Sequence, residues 1–141
     1  MLLWLYRWTD HVRQRARRRR WTPDRALGRD GEDLAHRFLQ REGMVIVARN
    51  WRTPSGAAEV DLIAVDRETL VFVEVKARET DEYGAPERAI DEVKKDKVVR
   101  AAREYVRRTG HDPKRVRFDI VSVVLDPGPV IVHYKDAFAA V

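Results

Sequence analysis

The chain has no cysteine, which excludes disulfide bonds and metal sites built from thiolates and is compatible with a reducing compartment. Its histidines do not have the spacing of zinc ligands. It also lacks a long apolar run: the stretch from Leu2 to Trp8 is far shorter than the about 20 residues that a membrane span needs. No small-residue cleavage site of a secretory signal follows it. We therefore expect a cytoplasmic protein without stable membrane insertion.

Net charge is low outside the first residues. The total of +5 divides unevenly, because residues 1–28 carry eight arginines and two aspartates, or +6, which leaves −1 for residues 29–141. The high isoelectric point is therefore not evidence that the rest of the chain binds nucleic acid. The length of 141 residues suits one globular domain (28–141) behind a basic arm (1–27). The arm is either an amphipathic helix for nucleic acid or anionic lipid, or a poorly packed extension.

Apolar periodicity and turn residues predict an α/β fold. Asp30 is the expected N-cap of the first helix, and Gly110 ends the second. The alternation of elements indicates a mixed central sheet flanked by helices rather than an all-β domain. In chain order, the predicted elements are helix 31–42, strands 44–51, 57–65 and 70–77, helix 89–108, and strands 116–125 and 130–134.

Two neighbouring predicted strands carry acids in otherwise apolar segments. A short polar connection, 66–69, suits an antiparallel hairpin in which Val65 pairs with Leu70. Since side chains two residues apart share one face of a strand, the charged residues would all project to the same side. Counting outwards from the turn gives the remaining predicted pairs: Ile63 with Phe72, Asp61 with Glu74, and Glu59 with Lys76.

If Asp61 and Glu74 lie side by side as predicted, a positive group is needed to offset the repulsion between their carboxylates. Their Cβ atoms would lie about 5 Å apart, where two negative charges repel by roughly 3 kcal/mol at an effective dielectric of about 20. Mg²⁺ or Mn²⁺ bound by both carboxylates and the carbonyl of Val75 would offset this repulsion. Lys76 would orient water or stabilise charge on a phosphate. Glu59 is either part of this site or a plain cross-strand ion-pair partner of Lys76.

Two segments of these strands resemble the acidic core of the PD-(D/E)xK, restriction-endonuclease-like superfamily. They are Glu59-Val60-Asp61-Leu62-Ile63 and Val71-Phe72-Val73-Glu74-Val75-Lys76. More closely, the chain is similar to the YraN family of small bacterial proteins, which are themselves similar to archaeal Holliday-junction resolvases. Two positions depart from the patterns: Ala58 stands where the family usually has glycine, and Val60 where the superfamily name has proline. The likeness covers most of residues 28–138, including Gly28-Arg29-Asp30-Gly31-Glu32, Asn50-Trp51-Arg52, Arg117-Phe118-Asp119 and Asp136-Ala137-Phe138.

The resemblance implies a restriction-endonuclease-like α-β-β-β-α-β core and a Mg²⁺- or Mn²⁺-dependent endonuclease that acts on DNA, including branched DNA. Asp61 and Glu74 would be metal ligands and Lys76 the catalytic lysine. Glu32 matches an acid that resolvase-like proteins carry on their first helix, although an ordinary first-turn glutamate would look the same. A non-catalytic nucleic-acid-binding module with the same fold is the alternative, and the complete set of Asp61, Glu74 and Lys76 favours the nuclease.

Charge on the second predicted helix indicates where nucleic acid would bind. Residues 88–108 contain eight basic and four acidic side chains. Lys94 and Lys97 are the expected phosphate contacts, unless these charges form ion pairs on a solvated helix face. On a later strand, Asp119 interrupts an apolar run, and a same-face ion pair with Arg117 is the favoured explanation. The sequence leaves the oligomeric state open, a homodimer included.

Overall fold

The computed structural model describes residues 23–80 and 90–140 as two helices and one five-stranded sheet. The strands lie in chain order, and only β3 and β4 are parallel, so the sheet is mixed. The predicted α/β class and order of elements are confirmed. The elements are α1 (Pro23–Arg41), β1 (Val45–Arg52), β2 (Glu59–Asp66), β3 (Thr69–Thr80), α2 (Glu92–Thr109), β4 (Val116–Asp126) and β5 (Val130–Phe138).

One helix covers each face of the sheet. Ala35 and Leu39 of α1 pack on the face that includes Leu62. Val98 of α2 packs on the opposite face, against Ile63 and its neighbours. Because successive strand residues point to opposite faces, the central strands are apolar on both sides, which explains their nearly continuous apolar runs. Neither described helix combines the length and the apolar character that a membrane span requires.

The predicted start of the first helix is wrong. The helix begins at Pro23, so Asp30 lies inside it and is not its N-cap. Proline is favoured in a first helical turn because its missing N–H needs no intrahelical partner there. The first residues of α1 therefore fall within the segment assigned to the arm, and residues 1–22 lie outside the described part of the chain.

The second helix also begins later than expected, at Glu92 instead of residue 89. Asp91 is its N-cap, and its carboxylate accepts a hydrogen bond of 2.8 Å from the backbone N–H of Lys94. Gly110 ends the helix in the left-handed conformation, with φ of 70°, as its position in the sequence predicted. The cap at Asp91 fixes the turn that carries Lys94.

A close approach of α1 to β3 needs glycine at position 31. A Cβ atom placed on Gly31 would lie 2.4 Å from the Cβ of Ala77 and 3.9 Å from a methyl carbon of Val75. The backbones of the two elements are therefore nearer than any larger residue would allow. The contact places Gly31 beside Ala77, three residues after Glu74 on β3.

Candidate functional site

The predicted hairpin register is confirmed from the turn as far as Leu62, which is opposite Val73. Val65 is opposite Leu70 and Ile63 is opposite Phe72, but the pairing of β2 with β3 ends at Leu62. The same register would set Asp61 opposite Glu74 and Glu59 opposite Lys76, but these positions lie past the last paired residues and stay predictions. Past Leu62 a side-chain hydrogen bond joins the two strands: Oδ2 of Asp61 accepts the N–H of Val75 at 2.8 Å.

The carboxyl groups of Asp61 and Glu74 meet, as the sequence predicted. They are close enough to share a hydrogen bond, and Glu74 is 3% exposed. Burial, followed by the charge of Glu74, raises the pKa of Asp61 to about 7, against the opposing effect of the Val75 N–H. Burial also raises the pKa of Glu74. The pair is therefore costly to ionise fully at neutral pH.

Lys94 provides a direct counter-charge to this acid pair. Its Nζ lies 3.3 Å from Oε1 of Glu74, and this neighbour raises the pKa of Lys94. The lysine also acts electrostatically on Asp61 and Glu59. Sequence reasoning selected Lys94 only as a phosphate contact on a helix surface. The pattern gave no sign of its contact with Glu74, because the two residues are joined only by the packing of α2 on the sheet.

Lys76 completes the charged group on β3. It lies two residues after Glu74, so strand alternation puts the two side chains on one face. Its positive charge acts with that of Lys94 to lower the pKa of Glu74 against the effect of burial. Between them, Val75 is held by its N–H bond to Asp61, and its side chain packs in the core under α1. The structure thus brings Asp61, Glu74 and Lys76 together around the backbone of Val75.

Glu32 lies beside the acid pair rather than within it. Its Oε2 accepts a hydrogen bond of 3.1 Å from Nδ2 of Asn50 and lies 3.7 Å from a guanidinium nitrogen of Arg49. Burial and the charge of Asp61 raise the pKa of Glu32, which shows that the two acids are within electrostatic range. In the described ranges, no three His, Asp or Glu side chains are grouped closely enough to hold a metal ion. Sequence reasoning missed Asn50, although it lies in one of the segments shared with the family.

The other predicted charged positions have different surroundings. Nε of Arg52 lies 3.0 Å from Oε2 of Glu59, across the pairing of β1 with β2, and both side chains are largely exposed. This ion pair accounts for Arg52, which the sequence left without a role, and places Glu59 at the rim of the site. Lys97 is exposed on α2, one turn after Lys94.

Asp119 belongs to a buried structural network. The predicted ion pair is present, with Nε of Arg117 2.8 Å from Oδ1 of Asp119. The structure adds Nε2 of His133 at 2.7 Å and the backbone N–H of Asp136 at 3.0 Å. Burial opposes ionisation, but the hydrogen bonds from His133 and Arg117 outweigh it and lower the pKa of Asp119. The network ties β5 to β4 where their register shifts between Phe118 and Ile120.

Fold and site together define a small α/β protein whose helix-covered sheet carries a half-buried aspartate and a buried glutamate, with two lysines beside them. A model of the uncharacterised protein family UPF0102 matches residues 31–123. A UPF0102 protein of Solibacter usitatus is 50% identical over 134 residues, which cover 95% of this chain and 97% of that protein. One of Rhodococcus jostii is 48% identical over 115 residues, or 80% and 96% of the two chains. The chain belongs to the UPF0102 family, the YraN-like family expected from its sequence.

Proposed function

We propose that this protein is a metal-dependent endonuclease that hydrolyses phosphodiester bonds of DNA by PD-(D/E)xK, restriction-endonuclease-like chemistry. The observation that carries the proposal is the contact of Asp61 with the buried Glu74, with two lysines beside them. Acids with strongly raised pKa values are costly to a fold and cluster at functional sites. The resemblance of β2 and β3 to the nuclease pattern supports the same assignment.

The donor groups suit Mg²⁺ or Mn²⁺, which prefer oxygen ligands. Asp61 and Glu74 would hold the ion, with the carbonyl of Val75 as a further ligand. Glu32 lies within electrostatic range of Asp61 and would add negative charge around the ion. An ion held there would supply Lewis acidity for the attack of water on phosphorus.

The protein's own groups would position the substrate and stabilise charge. Lys76, on the same face as Glu74, would stabilise the negative charge that develops on the phosphate in the transition state. The N–H of Val75 orients the Asp61 carboxylate through its 2.8 Å hydrogen bond. The exposed Lys97, on the helix that also carries Lys94, would contact a neighbouring phosphate of the DNA backbone. We expect DNA, including branched DNA, as the substrate.

A nucleic-acid-binding module without catalysis is the second candidate. The ion pair of Lys94 with Glu74 favours it, because this contact supplies positive charge to the acid pair without any metal. One assay distinguishes the two functions. The full-length protein is incubated with labelled four-way junction, flap, single-stranded and plain duplex DNA. Metal-dependent cleavage supports the nuclease. Binding without cleavage in either Mg²⁺ or Mn²⁺ supports the module, and neither binding nor cleavage contradicts both.

A further inference from the structure

We infer that Lys94 is a built-in counter-cation of the candidate metal site: its ammonium group neutralises Glu74 and must leave that carboxylate when a divalent ion binds. This inference rests on the proposed function and adds a competition between two cations for one acid. The two carboxylates and Lys76 already belong to the proposed metal chemistry. Lys94 lies on α2 instead, and it is beside Glu74 because α2 packs on the sheet.

The contact joins an accessible cation to a buried anion. Nζ of Lys94 lies 3.3 Å from Oε1 of Glu74, and the side chains are 46% and 5% exposed, respectively. A buried carboxylate needs a compensating partner, and this lysine reaches in from solvent to provide one. An ammonium group with access to water can leave such a contact without itself becoming buried.

A divalent ion that takes Glu74 as a ligand would compete with this ammonium group. Two cations beside one carboxylate repel each other, more strongly in a partly buried site than in water. The acids have less freedom to move than the lysine, because Glu74 lies within the sheet and Asp61 is held by the Val75 N–H. The side chain of Lys94 is therefore the group that moves away when the ion binds.

The backbone of α2 would stay in place when the side chain of Lys94 moves. The N–H of Lys94 is bonded to the carboxylate of Asp91, so the first turn is held by its own cap. Lys97 lies three residues later on the same helix and is exposed. The released ammonium group would therefore join the solvent-facing positive charge of α2.

Calorimetric titration of Mn²⁺ into the full-length protein without DNA tests this competition. Lys94→Met removes the competing charge, and Lys97→Met removes an equal charge one turn away as a matched control. We expect Lys94→Met to bind Mn²⁺ about tenfold more tightly than wild type, equivalent to about 1.4 kcal/mol. Lys97→Met should change the affinity less than about twofold, since solvent screens an exposed charge at that distance.

The outcomes separate this inference from the proposed function. Equal tightening by both substitutions, or none by Lys94→Met, would overturn the competition while leaving the metal site intact. No Mn²⁺ binding by wild type or either variant would contradict the metal site itself, and with it the inference. Lys94→Gln serves as a second variant in case loss of the ion pair prevents folding, because its amide can still donate a hydrogen bond to Glu74. It too should bind Mn²⁺ more tightly than wild type.

Discussion

Replacing Asp61 by asparagine should stabilise the metal-free protein. The native carboxyl group is held beside Glu74 in a partly buried place, where burial and that neighbour raise its pKa from 3.8 to about 7. Asparagine has nearly the same shape and keeps an oxygen that can accept the N–H of Val75, now bonded at 2.8 Å. The variant therefore loses the charge while retaining the hydrogen bond.

The size and pH dependence of the gain follow from this pKa. One pKa unit corresponds to 1.36 kcal/mol, so the full shift sets an upper limit of about 4 kcal/mol. We expect about 1–3 kcal/mol at pH 8, the usual range for a poorly compensated buried polar group. Folded Asp61 keeps its proton where the unfolded chain has lost it, so wild-type stability falls as the pH rises from about 4 to about 7. The advantage of Asp61→Asn grows over that interval and is constant above it.

Urea denaturation in the presence of a chelator, at pH 5 and pH 8, measures the stability gain of Asp61→Asn and its dependence on pH. Asp96→Asn removes an exposed acid from α2 and should change the free energy of unfolding by less than about 0.5 kcal/mol. The reasoning is refuted if Asp61→Asn is less stable than wild type at pH 8, or if its gain is the same at both pH values. Added Mn²⁺ should favour wild type instead, because only the native acid pair holds the ion fully.

Three further predictions concern the packing, the buried network and the helix surface. Gly31→Ala should lower the stability measured by thermal unfolding by about 1–3 kcal/mol, because the new methyl group clashes with Ala77. Adding Ala77→Gly should restore part of this stability, and purely additive effects of the two substitutions would contradict the contact. Asp119→Asn should lower the free energy of unfolding by about 3 kcal/mol or more at pH 7. Because the pKa of the native Asp119 is lowered, the stability that its carboxylate contributes is lost as the pH falls below 3.8. Lys97→Ala should reduce the salt slope of DNA binding by about 1, whereas the exposed Lys114→Ala should not. An unchanged slope for Lys97→Ala excludes the phosphate contact.

Local pattern was enough to predict most of the fold. Apolar alternation placed Val65 opposite Leu70 and Ile63 opposite Phe72, because a register shifted by one residue would have mixed core and charged positions. Past Leu62 the carboxylate of Asp61 accepts the N–H of Val75 on the next strand, a contact that counting paired residues does not predict. The start of α1 was missed although Pro23 marks it, since the arginines before it suggested an arm.

Contacts between distant elements could not be predicted in the same way. The acids of β2 and β3 were found because they are close in sequence and share a hairpin. Lys94 reaches Glu74 only after a crossover helix has packed on the sheet, and Asn50 reaches Glu32 only through the packing of α1 beside β1. His133 likewise meets Asp119 across two strands whose register shifts. No local periodicity encodes these pairs.

Single-turnover cleavage by wild type and Lys76→Ala tests the central claim most directly. Each protein, in excess over labelled four-way junction or duplex DNA, is given Mg²⁺ or Mn²⁺, and binding is measured in parallel with a chelator. The account predicts that wild type cleaves at least one of these DNAs and that Lys76→Ala is slower by about 100-fold or more, with its DNA affinity largely retained. Equal cleavage by the two proteins, or no cleavage of any DNA that wild type binds, would contradict it.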